Sequence, residues 1–177
     1  VVSSRFVAKL LPYSSHQEYT WRHAANTCVI YALPVVVMLT ATERATLKRV
    51  LVVSNKKGGV GKTSCTSNVG GVLAQAGYRV LGMDLDPQGH LGVELGYKGT
   101  EIDDGGAGPF QALILGQELK PAKNVRPGFD VIPGGPQTSH LVDSLLGKAM
   151  RGEDPSYLLA KKLAEIAGNY DVILIDC

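Results

Sequence analysis

Four short apolar runs recur through residues 50–177, and each is separated from the next by turn-forming or polar segments. The runs are rich in Val, Ile and Leu and show little alternation, which is typical of strands buried on both faces. We therefore predict four strands. They cover residues 50–53, 78–84, 129–132 and 172–175.

Segments with apolar residues at helical spacing lie between these runs, with a largely irregular stretch predicted over 85–108. The first two predicted helices are 62–76, which Gly77 ends, and 110–115. The third has an apolar face made of Leu141, Val142, Leu145 and Leu146. The fourth has Asp154 as its cap and Pro155 as its first residue, and it ends at Gly168. Strands that alternate with helices predict an α/β fold with a doubly wound, mostly parallel sheet.

Residues 1–45 do not follow this pattern, and we treat them as an uncertain N-terminal extension. The first 50 residues carry a net charge of +4, whereas the remainder carries −2. The apolar run 28–41 is shorter than the roughly 18–20 residues of a membrane-spanning helix and contains Pro34. Three interpretations stay open: a non-native extension, a membrane-proximal anchor or a packed helix.

Composition narrows the class of protein without identifying it. Charged residues make up 19% of the chain and hydrophobic residues 45%, which indicates a folded domain rather than wholesale disorder. The net charge of +2 does not by itself indicate a nucleic-acid partner. The three cysteines, Cys28, Cys65 and Cys177, have no CxxC or metal-ligand spacing, so a reducing compartment is expected.

The segment SNKKGGVGKTS, residues 54–64, follows the first predicted strand and opens the first predicted helix. Glycines let the backbone turn its N–H groups around an anion, and the helix N-terminus adds its dipole. Lys62 would reach the β- and γ-phosphates of a nucleotide, and the Thr63 hydroxyl would bind Mg²⁺. The predicted nucleotide-binding residues are Lys57, Gly58, Gly59, Val60, Gly61, Lys62, Thr63 and Ser64.

This loop departs from the common GxxxxGK[ST] motif, because Lys56 stands where that motif has glycine. The residues present instead match KGGxGK[ST], the deviant Walker A pattern, in which Lys57 precedes Lys62 by five positions. This pattern is far more specific than a lone GxGxxG.

Three aspartates follow predicted strands. Asp84 and Asp86 come at the end of the second strand, and Asp176 ends the fourth in the manner of a Walker B motif. Ligands of open α/β sheets bind at the carboxyl ends of the strands. These carboxylates are therefore predicted to face Mg²⁺ and the attacking water.

The stretches KKGGVGKTS, VLGMDLDPQGH, FDVIPGG and YDVILIDC resemble the ParA/Soj branch of the MinD/ParA family of deviant Walker ATPases. The resemblance implies a P-loop NTPase fold, with residues 46–177 as the N-terminal portion of that domain, and ATP and Mg²⁺ as cofactors. It assigns catalytic roles to Lys57, Lys62 and Asp86, and the Mg²⁺ shell to Thr63, Asp84 and Asp176. In this family Lys57 would cross to the nucleotide of a partner subunit in an ATP-sandwich homodimer.

The function implied is an ATP-driven switch in plasmid or chromosome partitioning. The resemblance further implies non-specific DNA binding through residues beyond Cys177 and activation by a ParB-like protein. It also implies a cytoplasmic, nucleoid-associated location, and a membrane partner is not expected. Three alternatives are a MinD-like, membrane-associated division-site ATPase, a metabolic ATP-dependent ligase on the same scaffold, and a truncated product that only binds nucleotide.

Some residues depart from the family pattern. Gly70 and Gly71 replace the usual alanines of the first helix, at roughly 1 kcal/mol each, and His90 stands where asparagine is common. His90 is expected to be a loop residue. Since the chain stops at Cys177, an incomplete domain is expected.

Overall fold

The structure is a computed structural model, and it describes residues 18–23, 26–32, 49–55, 57–152, 155 and 157–177. For the first two of these ranges only the backbone is described. The predicted helix cap Asp154 lies outside the described residues, as does most of the 1–45 extension.

Seven strands and five helices are present in the described part of the chain. The strands are β1 (Glu18–His23), β2 (Asn26–Ala32), β3 (Val50–Ser54), β4 (Val80–Asp84), β5 (Ala122–Arg126), β6 (Phe129–Ile132) and β7 (Val172–Asp176). The helices are α1 (Lys62–Gln75), α2 (His90–Leu95), α3 (Ala107–Ile114), α4 (Gln137–Met150) and α5 (Leu158–Ala167).

The described strands form one sheet in the order β1-β2-β3-β7-β4-β6-β5. The four central strands, β3, β7, β4 and β6, run parallel to their neighbours, and antiparallel pairs flank them on both sides. The prediction of a mostly parallel α/β sheet is confirmed, and its four predicted strands are the parallel ones.

Successive residues of the central strands enter two separate cores, one on each face of the sheet. Leu81 and Ile173 pack in the core that α5 closes, whereas Val80 and Leu174 pack in the core closed by α1 and α2. This alternation explains why the strands lack a polar face, because both faces are covered.

The two consecutive glycines of α1 have different reasons for being glycine. A Cβ on Gly70 would overlap the ring of Phe129, whereas a Cβ on Gly71 would meet no atom within 4 Å. Gly70 therefore allows α1 to lie directly on the sheet, and only Gly71 leaves the helix less stable without a packing reason.

Several predictions differ from the structure. The segment 85–108 contains α2 and the start of α3, so His90 is the first residue of a helix rather than a loop residue. The strand β5 was not predicted, because its sequence AKNVR is largely polar and lies at the sheet edge. On α4, Leu141 is buried but Val142 and Leu146 are 63% and 62% exposed, so the predicted apolar face is only partly covered.

Part of the N-terminal extension belongs to the sheet. β2 pairs with β3 in antiparallel register, with Val29 opposite Ser54, and β1 pairs with β2. Residues 26–32 therefore form a strand between β3 and the edge strand β1, instead of a helix. The division of the chain at residue 45 stays a prediction.

Candidate nucleotide-binding site

The glycine loop begins where β3 ends, at Ser54, and it is open to solvent. The backbone N–H of Lys57 donates to Asn55 Oδ1 at 3.0 Å, which turns the chain away from the strand direction. Gly59 and Gly61 adopt φ values of 69° and 83°, a left-handed region that glycine enters without steric cost. A Cβ at either position would meet nothing within 4 Å, so the backbone conformation, not crowding, requires glycine there.

The N-terminus of α1 follows this loop directly. Gly61 is its N-cap residue, no side chain caps it among the described residues, and its first turn contains no acid. The first-turn N–H groups and the positive end of the helix dipole are therefore available to an anion. Lys62 and Thr63 are half-buried at the first two positions of α1, while Lys57 is exposed at the mouth of the loop.

Asp176 ends β7 beside this helix, and it is buried with only 1% of its surface exposed. In the part of the chain that the structure describes, neither of its carboxylate oxygens has a hydrogen-bond partner. Desolvation raises its pKa, and the nearby Thr63 hydroxyl and Lys62 ammonium oppose that rise without completing a well-formed bond. A buried carboxylate without a partner is costly unless a cation compensates it.

Asp84 ends β4, at the position paired with Asp176 across the two strands. It is fully buried, and its two oxygens accept the backbone N–H groups of Asp86 at 2.9 Å and Leu91 at 3.2 Å. Desolvation raises its pKa to about 6, against the lowering effect of these hydrogen bonds. Asp84 therefore orders the loop that follows β4; its predicted direct contact with Mg²⁺ stays a prediction.

Asp86 lies in this loop and is half-buried. Its Oδ1 accepts the backbone N–H of Gln88 at 2.9 Å, which closes a tight turn. The loop after β6 supports the same region, because a Cβ on Gly134 would lie 2.6 Å from Cγ of Asp84. Only glycine allows that close approach. The sequence predicted these acids at one edge of the sheet, and the structure brings Asp84, Asp86 and Asp176 together there.

The donor set fits a Mg²⁺ ion carried by a nucleotide better than a free-standing metal site. Among the described residues, no group of three or more His, Cys, Asp or Glu side chains is arranged to hold a metal ion. Mg²⁺ commonly takes one or two carboxylates together with substrate phosphates and water. The Thr63 hydroxyl and the orphaned Asp176 oxygens would supply the protein's share of such a shell.

Two side chains near the loop, Glu94 and Tyr97, were not predicted to belong to this region. The Ser64 hydroxyl donates to Glu94 Oε1 at 2.8 Å, so this predicted nucleotide-binding residue points its side chain at α2. The Tyr97 hydroxyl is buried without a partner in the described part of the chain, and burial raises its pKa. No sequence pattern marked Glu94 or Tyr97, because both lie within the stretch 85–108 that was predicted to be largely irregular.

No helix in the described residues combines the length and apolar character that crossing a bilayer requires.

Known proteins resemble this chain over the part that contains the site. A family model described as an AAA domain matches residues 48–177. The chromosome partitioning protein ParA of Caulobacter vibrioides is 38% identical over 73% of this chain and 47% of its own length. The chromosome-partitioning ATPase Soj of Treponema pallidum is 37% identical over 73% of this chain and 48% of its own length.

A solved structure described as cobyrinic acid a,c-diamide synthase from Mycobacterium smegmatis, with a bound ATP analogue and magnesium, has a TM-score of 0.62 at 34% identity. The match covers 73% of this chain and 50% of that one. The chain spans about half the length of the curated relatives it matches. The family model, the two partitioning proteins and the deviant Walker A loop agree: the chain belongs to the ParA/MinD family of P-loop ATPases.

Proposed function

We propose that this chain is the nucleotide-binding part of a partitioning ATPase that binds ATP with Mg²⁺, dimerises around it and hydrolyses it. The observation that carries the proposal is the buried Asp176 carboxylate, which has no hydrogen-bond partner among the described residues and lies beside Thr63 and Lys62. A cation delivered with a nucleotide would compensate this charge, at the point where an open helix N-terminus offers N–H groups to phosphates.

The two lysines of the loop would have separate tasks. Lys62 opens α1 and lies next to the carboxylates, whereas Lys57 is exposed at the loop mouth. Lys62 alone suffices to hold a nucleotide, so two lysines on one triphosphate within one subunit would be partly redundant. Supplied to a partner subunit, Lys57 would neutralise charge that develops at the γ-phosphate and would couple hydrolysis to dimerisation.

Asp86 would orient the attacking water. Its carboxylate has no electrostatic attraction to phosphate, and its loop is fixed on one side by Asp84 and closed by the Gln88 turn. Such a fixed carboxylate suits a water-positioning role.

The cellular role rests on the partitioning relatives. We propose that the complete protein is a cytoplasmic, nucleoid-associated switch that binds DNA non-specifically in its ATP state and is released when a ParB-like partner stimulates hydrolysis. The names of the Caulobacter and Treponema relatives support a role in chromosome partitioning.

The test compares two variants of the full-length protein. Lys57→Ala should bind ATP within about 3-fold of the parent yet lose ATP-dependent dimerisation and hydrolysis, since it removes only charge supplied in trans. Asp86→Ala should bind ATP and dimerise but hydrolyse at least about 10-fold more slowly. Nucleotide titration, light scattering with a slowly hydrolysed analogue, and phosphate release with and without DNA distinguish these outcomes.

A matched control is Lys161→Ala, which removes an exposed lysine from α5. It should behave like the parent in every assay. If Lys57→Ala also dimerises and turns over like the parent, the sandwich mechanism is wrong for this protein.

A second candidate is a metabolic ATP-dependent ligase, which the description of the Mycobacterium smegmatis structure favours. Such an enzyme would consume ATP only with a small carboxylate substrate and a nitrogen donor, and DNA would not affect its turnover. Phosphate release that DNA stimulates without any carboxylate substrate would exclude this candidate.

A further inference from the structure

The side chain of Glu94 connects two helices that carry different parts of the site. Its Oε1 accepts the Ser64 hydroxyl at 2.8 Å, and its Oε2 lies 3.4 Å from the Ser67 hydroxyl. Both serines belong to the first two turns of α1, and Glu94 is the fifth of the six residues of α2. One carboxylate therefore holds the beginning of α1 and the end of α2 together; we name these two contacts the Glu94 clasp.

The other end of α2 is attached to the acidic loop. The backbone N–H of Leu91, in the first turn of α2, donates to Asp84 Oδ2, and Asp84 Oδ1 accepts the N–H of Asp86. Residues 86–89 form a tight turn that leads into α2, and in it the Gly89 N–H donates to the Asp86 carbonyl at 3.0 Å. A shift of α2 would therefore move Asp86 with it.

Apolar packing holds α2 against both the sheet and α1, and the clasp adds a directional contact between the two helices. Leu91 and Leu95 are buried in the core that also contains Phe129. Glu94 itself is exposed, and of its two partners Ser67 is buried and Ser64 exposed. Apolar contacts are non-directional, whereas the hydrogen bond from Ser64 to Glu94 specifies a distance and an orientation. The Ser67 hydroxyl shares its one proton between Glu94 and the Ser64 carbonyl, which is 3.2 Å away.

We propose that Glu94 is a positioning residue, which keeps the loop of Asp86 at a fixed distance from the phosphate-binding end of α1. This inference rests on the proposed function, because it assigns Glu94 to the hydrolytic step. Nucleotide affinity depends mainly on the glycine loop and Lys62. The clasp contacts Ser64, the last of the predicted nucleotide-binding residues, through its side-chain hydroxyl. Turnover depends on where Asp86 holds water relative to the γ-phosphate, and a displacement of about 1 Å can cost on the order of 100-fold in rate.

The experiment compares Glu94→Ala and Glu94→Gln in the full-length protein. Glu94→Ala should lower kcat by about 10-fold while the ATP dissociation constant changes less than about 2-fold. Glu94→Gln keeps an oxygen that accepts the Ser64 hydroxyl, so it should retain more than about half of the parental kcat. The charge-matched control is Glu118→Ala, whose side chain is 80% exposed and pairs with Lys120 away from the site.

Two results would overturn the proposal. If Glu94→Ala weakens ATP binding as much as it lowers kcat, Glu94 supports the glycine loop and not the Asp86 loop. If Glu94→Gln is as slow as Glu94→Ala, the negative charge matters and the hydrogen-bonded clasp does not.

Amide hydrogen exchange tests the clasp without any turnover. In Glu94→Ala, residues 86–92 should exchange at least about 5-fold faster than in the parent, while β7 exchanges at the parental rate. If the parent hydrolyses no ATP, the proposed function is wrong, and the predicted effect of Glu94 on kcat is wrong as well. The exchange data then decide alone whether Glu94 orders the loop, and unchanged exchange would overturn that too.

Discussion

The acids at the two ends of the parallel strands have opposite environments. At the carboxyl ends, Asp84 and Asp176 are buried, neither has a cationic hydrogen-bond partner among the described residues, and desolvation raises both pKa values. Near the amino ends, Asp171 is paired with Arg79 at 2.9 Å and Asp130 with Lys123 at 2.9 Å, and both pKa values are lowered.

The difference separates structural carboxylates from carboxylates available to a ligand. Asp130 is desolvated, which would raise its pKa, but hydrogen bonds from Lys123, the Asn124 N–H and the Tyr170 hydroxyl outweigh that effect. Within the described residues, the fold therefore supplies hydrogen-bonded cations to the acids at one end of the sheet, whereas the acids at the other end have no hydrogen-bonded cation. Carboxylates that lack compensation inside a protein mark a functional site more often than a structural one.

The largest effect is expected at Asp176. Replacing it with Asn removes a buried charge at nearly constant volume, so the nucleotide-free protein should become more stable, by roughly 1–2 kcal/mol. Binding of ATP in Mg²⁺ should weaken by at least about 10-fold, because a metal ligand is lost. Urea unfolding without ligands and ATP titration with and without Mg²⁺ measure the two quantities.

The decisive feature of this prediction is that Asp176→Asn raises the stability of the nucleotide-free protein and lowers its affinity for ATP. Asp171→Asn is the matched control: it removes a compensated carboxylate, so it should not stabilise the protein and should leave ATP binding unchanged. If Asp176→Asn is destabilised in the absence of ligand, the carboxylate already has a stabilising partner, and the contrast between the two ends is lost.

The next effect concerns pH and Asp84. Its pKa is raised from 3.8 to about 6 in the folded protein, so between these values the folded state binds more protons than the unfolded state. Stability should therefore increase as pH falls from about 6 to about 4, by on the order of 1 kcal/mol, and should be independent of this group above pH 6. Urea unfolding at several pH values, without nucleotide or Mg²⁺, measures this.

Asp84→Asn should flatten that dependence, because the substituted group no longer titrates. Adding ATP and Mg²⁺ to the parent should reverse the slope, since the ligand favours the ionised carboxylates. A parent protein whose stability falls steadily from pH 6 to pH 4 would show that the carboxylates near the amino ends dominate the titration.

The sequence predicted the phosphate loop and the parallel strands because local signals are strong there. Glycines, three lysines and a strand-to-helix change fall within eleven residues, and each central strand is a mainly apolar run. The acids Asp84 and Asp176 were found for the same reason, since each follows an apolar strand directly. Such features depend on residues close together in the chain.

Features that depend on tertiary contacts could not be predicted. The short helix α2 has a weak pattern, because its Gly92 and the glycines on either side of it interrupt the periodicity. The Glu94 clasp joins residues 30 positions apart, and nothing at either serine indicates a partner. The reason for Gly70 is also tertiary, because only the packing of Phe129 against α1 distinguishes it from Gly71.

The smallest effect is expected at Arg79, which tests the paired carboxylates near the amino ends of the strands. Arg79 and Asp171 are 58% and 32% exposed, and the backbone N–H of residue 79 would still donate to Asp171 after Arg79→Met. The loss of stability near pH 7 should be at the limit of detection and should shrink with added salt, because exposed ion pairs are screened.

Acid should abolish the difference between Arg79→Met and the parent. The pKa of Asp171 is lowered to about 2, mainly by the hydrogen bonds from Arg79, so its contribution to stability is present above about pH 4 and lost as pH falls through 2. The small stability difference near pH 7 should therefore shrink toward zero at about pH 2. Urea unfolding followed by circular dichroism from pH 7 to pH 2, at low and high salt, measures this difference. A surface ion pair near the amino ends of the strands should not affect carboxylates that are buried at the other end. If Arg79→Met changed stability as much as Asp176→Asn, or altered the pH dependence of stability near pH 6, the two ends of the sheet would not be independent.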